Sequence, residues 1–139
     1  MRRTVDIIIQ PRNLEEIVFI RRKNPPFKDR LALPGGFVDP GEVPHQAAIR
    51  EAKEETNLDV RLLNAHQPYI FDSAGRDPRG PVTSYLFFGV GEGTLADGSD
   101  AYCVHSRSFD EVYALLGKDL FAFDHEEMLQ RYFSWRQTI

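Results

Sequence analysis

Three carboxylates at the electrostatically wrong end of a helix constrain this chain more than any other feature. The segment PHQAAIREAKEET, Pro44 to Thr56, reads as a helix. Proline is tolerated in its first turn, where the missing N–H has no helical partner, and Asn57 stands where a left-handed residue often ends a helix. At 3.6 residues per turn, Glu51, Glu54 and Glu55 share an arc of about 100°. Glu51 and Glu55 are a like-charged i,i+4 pair, placed where the helix dipole is already negative. Ala48, Ile49 and Ala52 occupy the neighbouring arc and let that face approach a sheet, so the carboxylates are expected at the edge of the core. Arg50 can pair with Glu54 at i+4, but one arginine does not neutralise three carboxylates. Either this is a solvated charged face, or the carboxylates hold a divalent cation. Oxygen ligands of this kind suit Mg²⁺ or Mn²⁺ rather than zinc.

The rest of the chain supplies a frame for that helix. Its 139 residues fit a single domain spanning 1–139. A net charge of −4 provides no basic field, so no nucleic-acid partner is expected. The single cysteine, Cys103, cannot form an intramolecular disulfide, which suits a cytoplasmic location. The apolar run Val5–Ile9 is interrupted by Asp6 and is too short for a signal peptide, and no segment approaches membrane-spanning length. Strands are expected at Val5–Ile9, Ile17–Ile20, Leu31–Leu33, Val60–Leu63, Tyr69–Phe71 and Val82–Val90, with Pro34-Gly35-Gly36 breaking the third. Two further helices are expected at Phe109–Leu116 and His125–Trp135. Asp124 reads as the N-cap of the second, with His125 helping to fix its start. Strands interrupted by few helices fit an α/β sandwich better than a regular βαβ repeat.

Upstream residues sharpen the helix. Gly36, Glu42, Arg50, Glu51, Glu54, Glu55 and Leu58 follow the spacing Gly, five residues, Glu, seven residues, Arg-Glu, apolar, any, Glu-Glu, any, Gly, apolar. Ala52 is smaller than the usual aliphatic, and Asn57 replaces the closing glycine, for which asparagine is a good substitute in a left-handed cap. On these residues the chain resembles the Nudix hydrolase family. The resemblance implies an α/β/α sandwich with a mixed β-sheet and a loop–helix–loop Nudix box. It implies metal-dependent attack by water on a nucleoside diphosphate linked to another moiety. It makes Glu51, Glu54 and Glu55 the metal ligands, with the carbonyl of Gly36 a further candidate, while Glu42 and Arg50 hold the loop and orient the carboxylates.

Other segments bear on the substrate. Arg76-Asp77-Pro78-Arg79-Gly80 is a tight turn whose two arginines can grip phosphate or ribose oxygens. With Arg21 to Asn24, Leu31 to Val38 and Phe121 to His125, it resembles ADP-ribose pyrophosphatase-like Nudix proteins. The substrate thereby implied is ADP-ribose, cleaved to AMP and ribose 5-phosphate. Arg22 is a candidate for an additional phosphate contact, and Phe27 for stacking on adenine or packing on the domain. Gly98 to Cys103 resembles the family's loop that contributes a general base, leaving Asp97, Asp100 and Glu92 as candidates. Another nucleotide substrate (a triphosphate, a dinucleoside polyphosphate or a nucleotide sugar) is an alternative, as is a non-catalytic sensing module. Trp135, Phe133 and Tyr132 suit either packing on the sheet or a homodimer interface.

Overall fold

The computed structural model describes residues 2–98 and 101–139, except the side chains of residues 101 and 102. In chain order the elements are β1 (Arg2–Pro11), β2 (Glu16–Arg22), β3 (Leu31–Ala32), β4 (Gly35–Phe37), α1 (Pro44–Thr56), β5 (Asp59–Leu62), β6 (Tyr69–Phe71), β7 (Val82–Glu92), β8 (Ala101–Ser108), α2 (Phe109–Leu115) and α3 (His125–Arg136). The first sheet runs β4-β1-β7-β5, with β6 also pairing β7. It is mixed: β1 and β7 are parallel over ten residue pairs, Arg2↔Val82 to Pro11↔Gly91, and the remaining pairings are antiparallel. The second sheet is β3-β2-β8, antiparallel throughout.

Alternation along the central strands divides the core between two layers of helix. In β1, Val5, Ile7 and Ile9 pack with Ala47, Ala48 and Ala52 of α1, while Ile8 turns to the other face. Phe87 and Phe88 of β7 split the same way, Phe88 meeting Met128, Leu129 and Tyr132 of α3. Side chains of period two point to opposite faces, so a single strand can serve both helices. The small alanines let α1 lie close on the sheet. Ile49, expected on that face, is instead 43% exposed, and Ala47 takes its place against the sheet.

Two strands depart from the expectations. β4 pairs with β1 through Val5↔Gly36 and Asp6↔Gly35, although its two glycines give no side-chain pattern. β8 pairs with β2 from Glu16↔Ser108 to Arg22↔Ala101, where a loop was expected around Cys103. Among the described residues, no helix is long and apolar enough to cross a membrane.

The end of α1 behaves as its sequence requires. Asn57 has φ 68° and donates its backbone N–H to the Lys53 carbonyl, while its Nδ2 donates to the Thr94 carbonyl at 2.9 Å. Asn57→Ala, which loses the side-chain bond and forces a Cβ-bearing residue without asparagine's tolerance into this conformation, should cost roughly 1–2 kcal/mol in denaturant unfolding. Asn57→Gly should cost less, because glycine adopts the conformation freely. Equal losses in the two variants would sink the conformational argument.

Candidate active site

The loop before α1 is tied to the helix by one guanidinium. Arg50 Nε and Nη2 donate to the two carboxylate oxygens of Glu42 at 2.8 and 2.9 Å, and Nη2 also donates to the Phe37 carbonyl at 3.0 Å. Glu42 in turn accepts the Asp39 N–H at 2.9 Å, closing the turn. Nη1 reaches Glu51 at 2.8 Å and Glu54 at 3.2 Å. The Arg50 bonds, helped by the Asp39 N–H, hold the Glu42 carboxyl down at a pKa of about 2.

Glu51 and Glu55 face a cavity of about 420 Å³, a normal volume for a small-molecule site. Glu54 does not line it, and its side chain is half exposed. Burial pushes the Glu51 carboxyl up, against the pull of Arg50. Glu55 is displaced further. Burial first, and then the charge of Glu51, push it up to about 9, although the Gly35 N–H donates to it. One of its oxygens, Oε2, is buried with no hydrogen-bond donor. The backbone beside these carboxylates is closely packed: a Cβ on Gly36 would collide with the Glu51 carboxylate, and one on Gly35 with the Val5 carbonyl.

These observations fit a hard divalent cation. An orphaned buried carboxylate oxygen and a second carboxylate alongside it are hard oxygen donors. No ready-made cluster of three or more His, Cys, Asp or Glu side chains exists among the described residues. The donors present are two carboxylates rather than a preassembled side-chain cage.

Arginines line the same cavity. Arg22, Arg76 and Arg79 all face it. Arg22 Nε donates to the Pro26 carbonyl at 2.6 Å, and burial, followed by the charge of Arg79, lowers its pKa. Arg79 is held by Asp77 through Nε and Nη2, its guanidinium lying 5.2 Å from the Phe37 ring centroid and 5.5 Å from that of Phe123. Arg76 is more committed than the sequence suggested. Its side chain is only 4% exposed, with Nε and Nη2 bonded to the two oxygens of Asp124 at 2.9 and 2.7 Å. Burial opposes its charge, but these bonds win and its pKa is raised. Asp124 is therefore not a side-chain N-cap of α3; its carboxylate serves Arg76.

Phe27 packs 4.8 Å from Phe123, centroid to centroid, and does not line the cavity, whereas Phe123 and Phe37 do. Sequence reasoning assigned Phe123 no role. Its signal was position, one residue before the carboxylate that holds Arg76. Asp6 was likewise seen only as an interruption of an apolar run. It is buried in the cavity wall, accepting from Ser84 Oγ at 2.5 Å and from His125 Nε2 at 3.1 Å.

Of the three candidate bases, two are placed off the cavity. Glu92 pairs with Arg12 at 3.2 Å, with both side chains about two-thirds exposed, and lies off the cavity. Asp97 accepts the Val104 N–H at 2.8 Å and does not line the cavity either. Asp100 lies outside the described residues. The loop does pass close to the end of α1, since a Cβ on Gly98 would strike the backbone of Glu54 and Glu55.

The Glu42–Arg50 tie has a pH signature. A carboxyl whose folded pKa is about 2, against an ordinary 4.5, contributes stability above 4.5 that is lost as pH falls towards 2. Glu42→Gln should therefore melt below the wild type at neutral pH, with the gap closing as pH is lowered through that window. A gap independent of pH in thermal melts would refute the assignment.

Known proteins converge on the same reading. The NUDIX domain matches residues 1–132. The chain is 41% identical over 133 residues to an ADP-ribose pyrophosphatase of Methanocaldococcus jannaschii, covering 95% of this chain and 73% of that protein. It is 34% identical over 121 residues to an ADPR-responsive transcriptional repressor of Acinetobacter baylyi, covering 86% of this chain and 47% of the repressor. A bifunctional NMN adenylyltransferase/ADP-ribose pyrophosphatase of Francisella tularensis, crystallised with AMP and a Mn ion, superposes with a TM-score of 0.80 at 28% identity, over 96% of this chain and 41% of that one. The chain thus spans under half the length of the latter two proteins. With its loop–helix–loop carboxylates in place and the family domain matched almost end to end, the chain belongs to the Nudix family of hydrolases.

Proposed function

We propose that this chain is a single-domain ADP-ribose pyrophosphatase, hydrolysing ADP-ribose to AMP and ribose 5-phosphate with Mg²⁺ or Mn²⁺. The observation that carries this reading is one cavity lined by both Glu51 and Glu55 and by Arg22, Arg76 and Arg79. A diphosphate is a dense anion, and guanidinium groups match its oxygens in geometry as well as charge. Identity of 41% with an ADP-ribose pyrophosphatase supports the choice of nucleotide.

The chain's own groups divide the work. Glu51 and Glu55, with Gly36 beside them, would hold the cation, whereas Glu54 pairs with Arg50 and lies off the cavity. A divalent cation held there supplies charge neutralisation at the phosphoryl oxygens and acidifies a water. Glu42 and Arg50 keep the loop against α1. Arg79, steadied by Asp77, and Arg22 have nitrogens left to meet phosphate. Arg76 presents its remaining nitrogen from a rigid pair with Asp124. Phe123, rather than Phe27, offers an aromatic face in the cavity for the nucleoside. The partner is accordingly a small nucleotide rather than nucleic acid or membrane. We place the protein in the cytoplasm, with a homodimer as its candidate assembly; Tyr132 and Phe133 are buried in the core and Trp135 packs on it, so α3's aromatics would not form that interface.

Identity of 34% with an ADPR-responsive repressor favours one second reading, a sensor that binds ADP-ribose without cutting it. The complete set of box carboxylates favours the enzyme.

A panel of ADP-ribose, nucleoside triphosphates, dinucleoside polyphosphates and nucleotide sugars, assayed with Mg²⁺ and Mn²⁺, should release AMP from ADP-ribose most efficiently. Hydrolysis confined to triphosphates would reject the substrate, and tight binding without turnover would establish the sensor. Glu55→Gln should lower turnover by roughly two orders of magnitude or more. It should also raise the melting temperature in EDTA at pH 8. The sign follows from burial. A carboxyl raised from 4.5 to about 9 loses folded-state stability as pH climbs between those values, and the amide carries no such charge. A variant with near-normal turnover would remove Glu55 from the site.

A further inference from the structure

His125 is buried to 2% exposure, lines the cavity and belongs to neither the box nor the arginine group. Its two ring nitrogens have different jobs. Nδ1 accepts the backbone N–H of Leu33 at 3.0 Å, which requires that nitrogen to be unprotonated. In the neutral ring the proton then sits on Nε2, which lies 3.1 Å from Asp6 Oδ1 and donates to it. Asp6 is fixed in turn by Ser84 Oγ. The imidazole thus joins the start of α3 to β1 and to the short connection between β3 and β4.

That connection is the backbone on which the carboxylates rest. Leu33 is 2% exposed, so its N–H has no water to turn to. The next carbonyl, of Pro34, accepts the Ile7 N–H at 2.9 Å. Gly35 then donates its N–H to Glu55, and Gly36 lies against the Glu51 carboxylate with no room for a side chain. From Gly35 onwards the segment is held by pairing of β4 with β1. At its upstream end, the side chain that fixes it is His125.

We propose that His125 is a positioning residue for the carboxylate pair, acting through the Nδ1 bond to Leu33. It sets where the Gly35 N–H and the Gly36 backbone stand relative to Glu55 and Glu51. The inference rests on those carboxylates binding a cation and is independent of which nucleotide is cut. Groups that orient ligands from behind commonly change metal affinity tenfold or more when removed.

Two amide substitutions separate the two bonds. The amide of asparagine falls near the Nδ1 position and can accept from Leu33 without reaching Asp6. That of glutamine extends towards Nε2 and can donate to Asp6 while leaving Leu33 without an acceptor. Mn²⁺ titration followed by the EPR signal of the free ion, without nucleotide and at a temperature where circular dichroism shows each variant folded, should give at least ~10-fold weaker binding for His125→Gln than for His125→Asn. A merely structural histidine would lower both melting temperatures and leave Mn²⁺ affinity alike in the two variants. That result overturns the proposal, as does a larger loss in the asparagine variant. A wild type that binds no Mn²⁺ overturns the cation reading and this inference with it, whereas failure of ADP-ribose alone in the substrate panel touches neither. The wild type also supplies a test that needs no variant. Its ¹⁵N spectrum should show His125 protonated on Nε2, with a coupling across the hydrogen bond between Nδ1 and the Leu33 nitrogen. Protonation on Nδ1 would overturn the proposal directly.

Discussion

The contact on which the site depends is the Arg50 guanidinium. It binds the Glu42 carboxylate, the Phe37 carbonyl and Glu51, and so joins the loop, the end of β4 and the helix in one group of charge-assisted bonds. Such bonds are the strong class among protein hydrogen bonds, and the planar fork of arginine fixes direction as well as distance. Without that fork, Glu51 would lose the bonds that tie its carboxylate to the loop and to the end of β4. Arg50 leaves the charge uncompensated: it satisfies Glu51 and touches Glu54, but Glu55 stays buried with an oxygen unpaired. The fold holds the carboxylates in place and leaves their charge for something else to balance.

Much of this was legible in sequence because the box is local. Glu42, Arg50 and the glutamates lie within fourteen residues, and helix periodicity alone places the glutamates on one side. The bounds of α1 and the left-handed Asn57 follow from proline, glutamate spacing and cap chemistry. What sequence missed depends on long-range pairing. Gly35 and Gly36 read as a break, yet they form a strand because β1 supplies the partner. β8 mixes Cys, His, Ser and Arg in a way that gives no apolar alternation, and it is the ladder with β2 that makes it a strand. Ile49 misled because a window of apolar residues does not reveal which neighbour the sheet will select.

The arginine turn shows the same limit from another side. Arg76 looked free because its partner lies 48 residues away, at the start of α3. A buried ion pair of this kind is costly to break once one member is removed, so Arg76 holds the cavity wall as well as facing the cavity. The segment Phe123-Asp124-His125 repeats the pattern three times in succession. Phe123 meets Phe27 and lies near the guanidiniums of Arg22 and Arg79, Asp124 binds Arg76, and His125 binds Asp6 and Leu33. Phe123 itself has φ 50°, an uncommon conformation for a bulky residue. Backbone strain of this sort persists where the surroundings over-determine it, and the two residues that follow Phe123 do so.

Several local rules are therefore broken around the cavity. Carboxylates gather at a helix C-terminus, a buried oxygen lacks a donor, the charge of Arg79 opposes that of Arg22, and an aromatic residue sits at positive φ. Away from the cavity the core is regular, with alanines under α1 and aromatics under α3. Sequences agree with their folds at every level except where function asks otherwise. The two charge imbalances here are of opposite sign and share one cavity. Glu55 is buried with one oxygen unpaired, whereas Arg22 is desolvated beside the charge of Arg79, which is itself paired with Asp77. A cation or an anion alone would relieve half of the strain, whereas a cation–diphosphate complex would relieve both. On the function proposed above, the cavity would suit a cation–diphosphate pair better than either member alone.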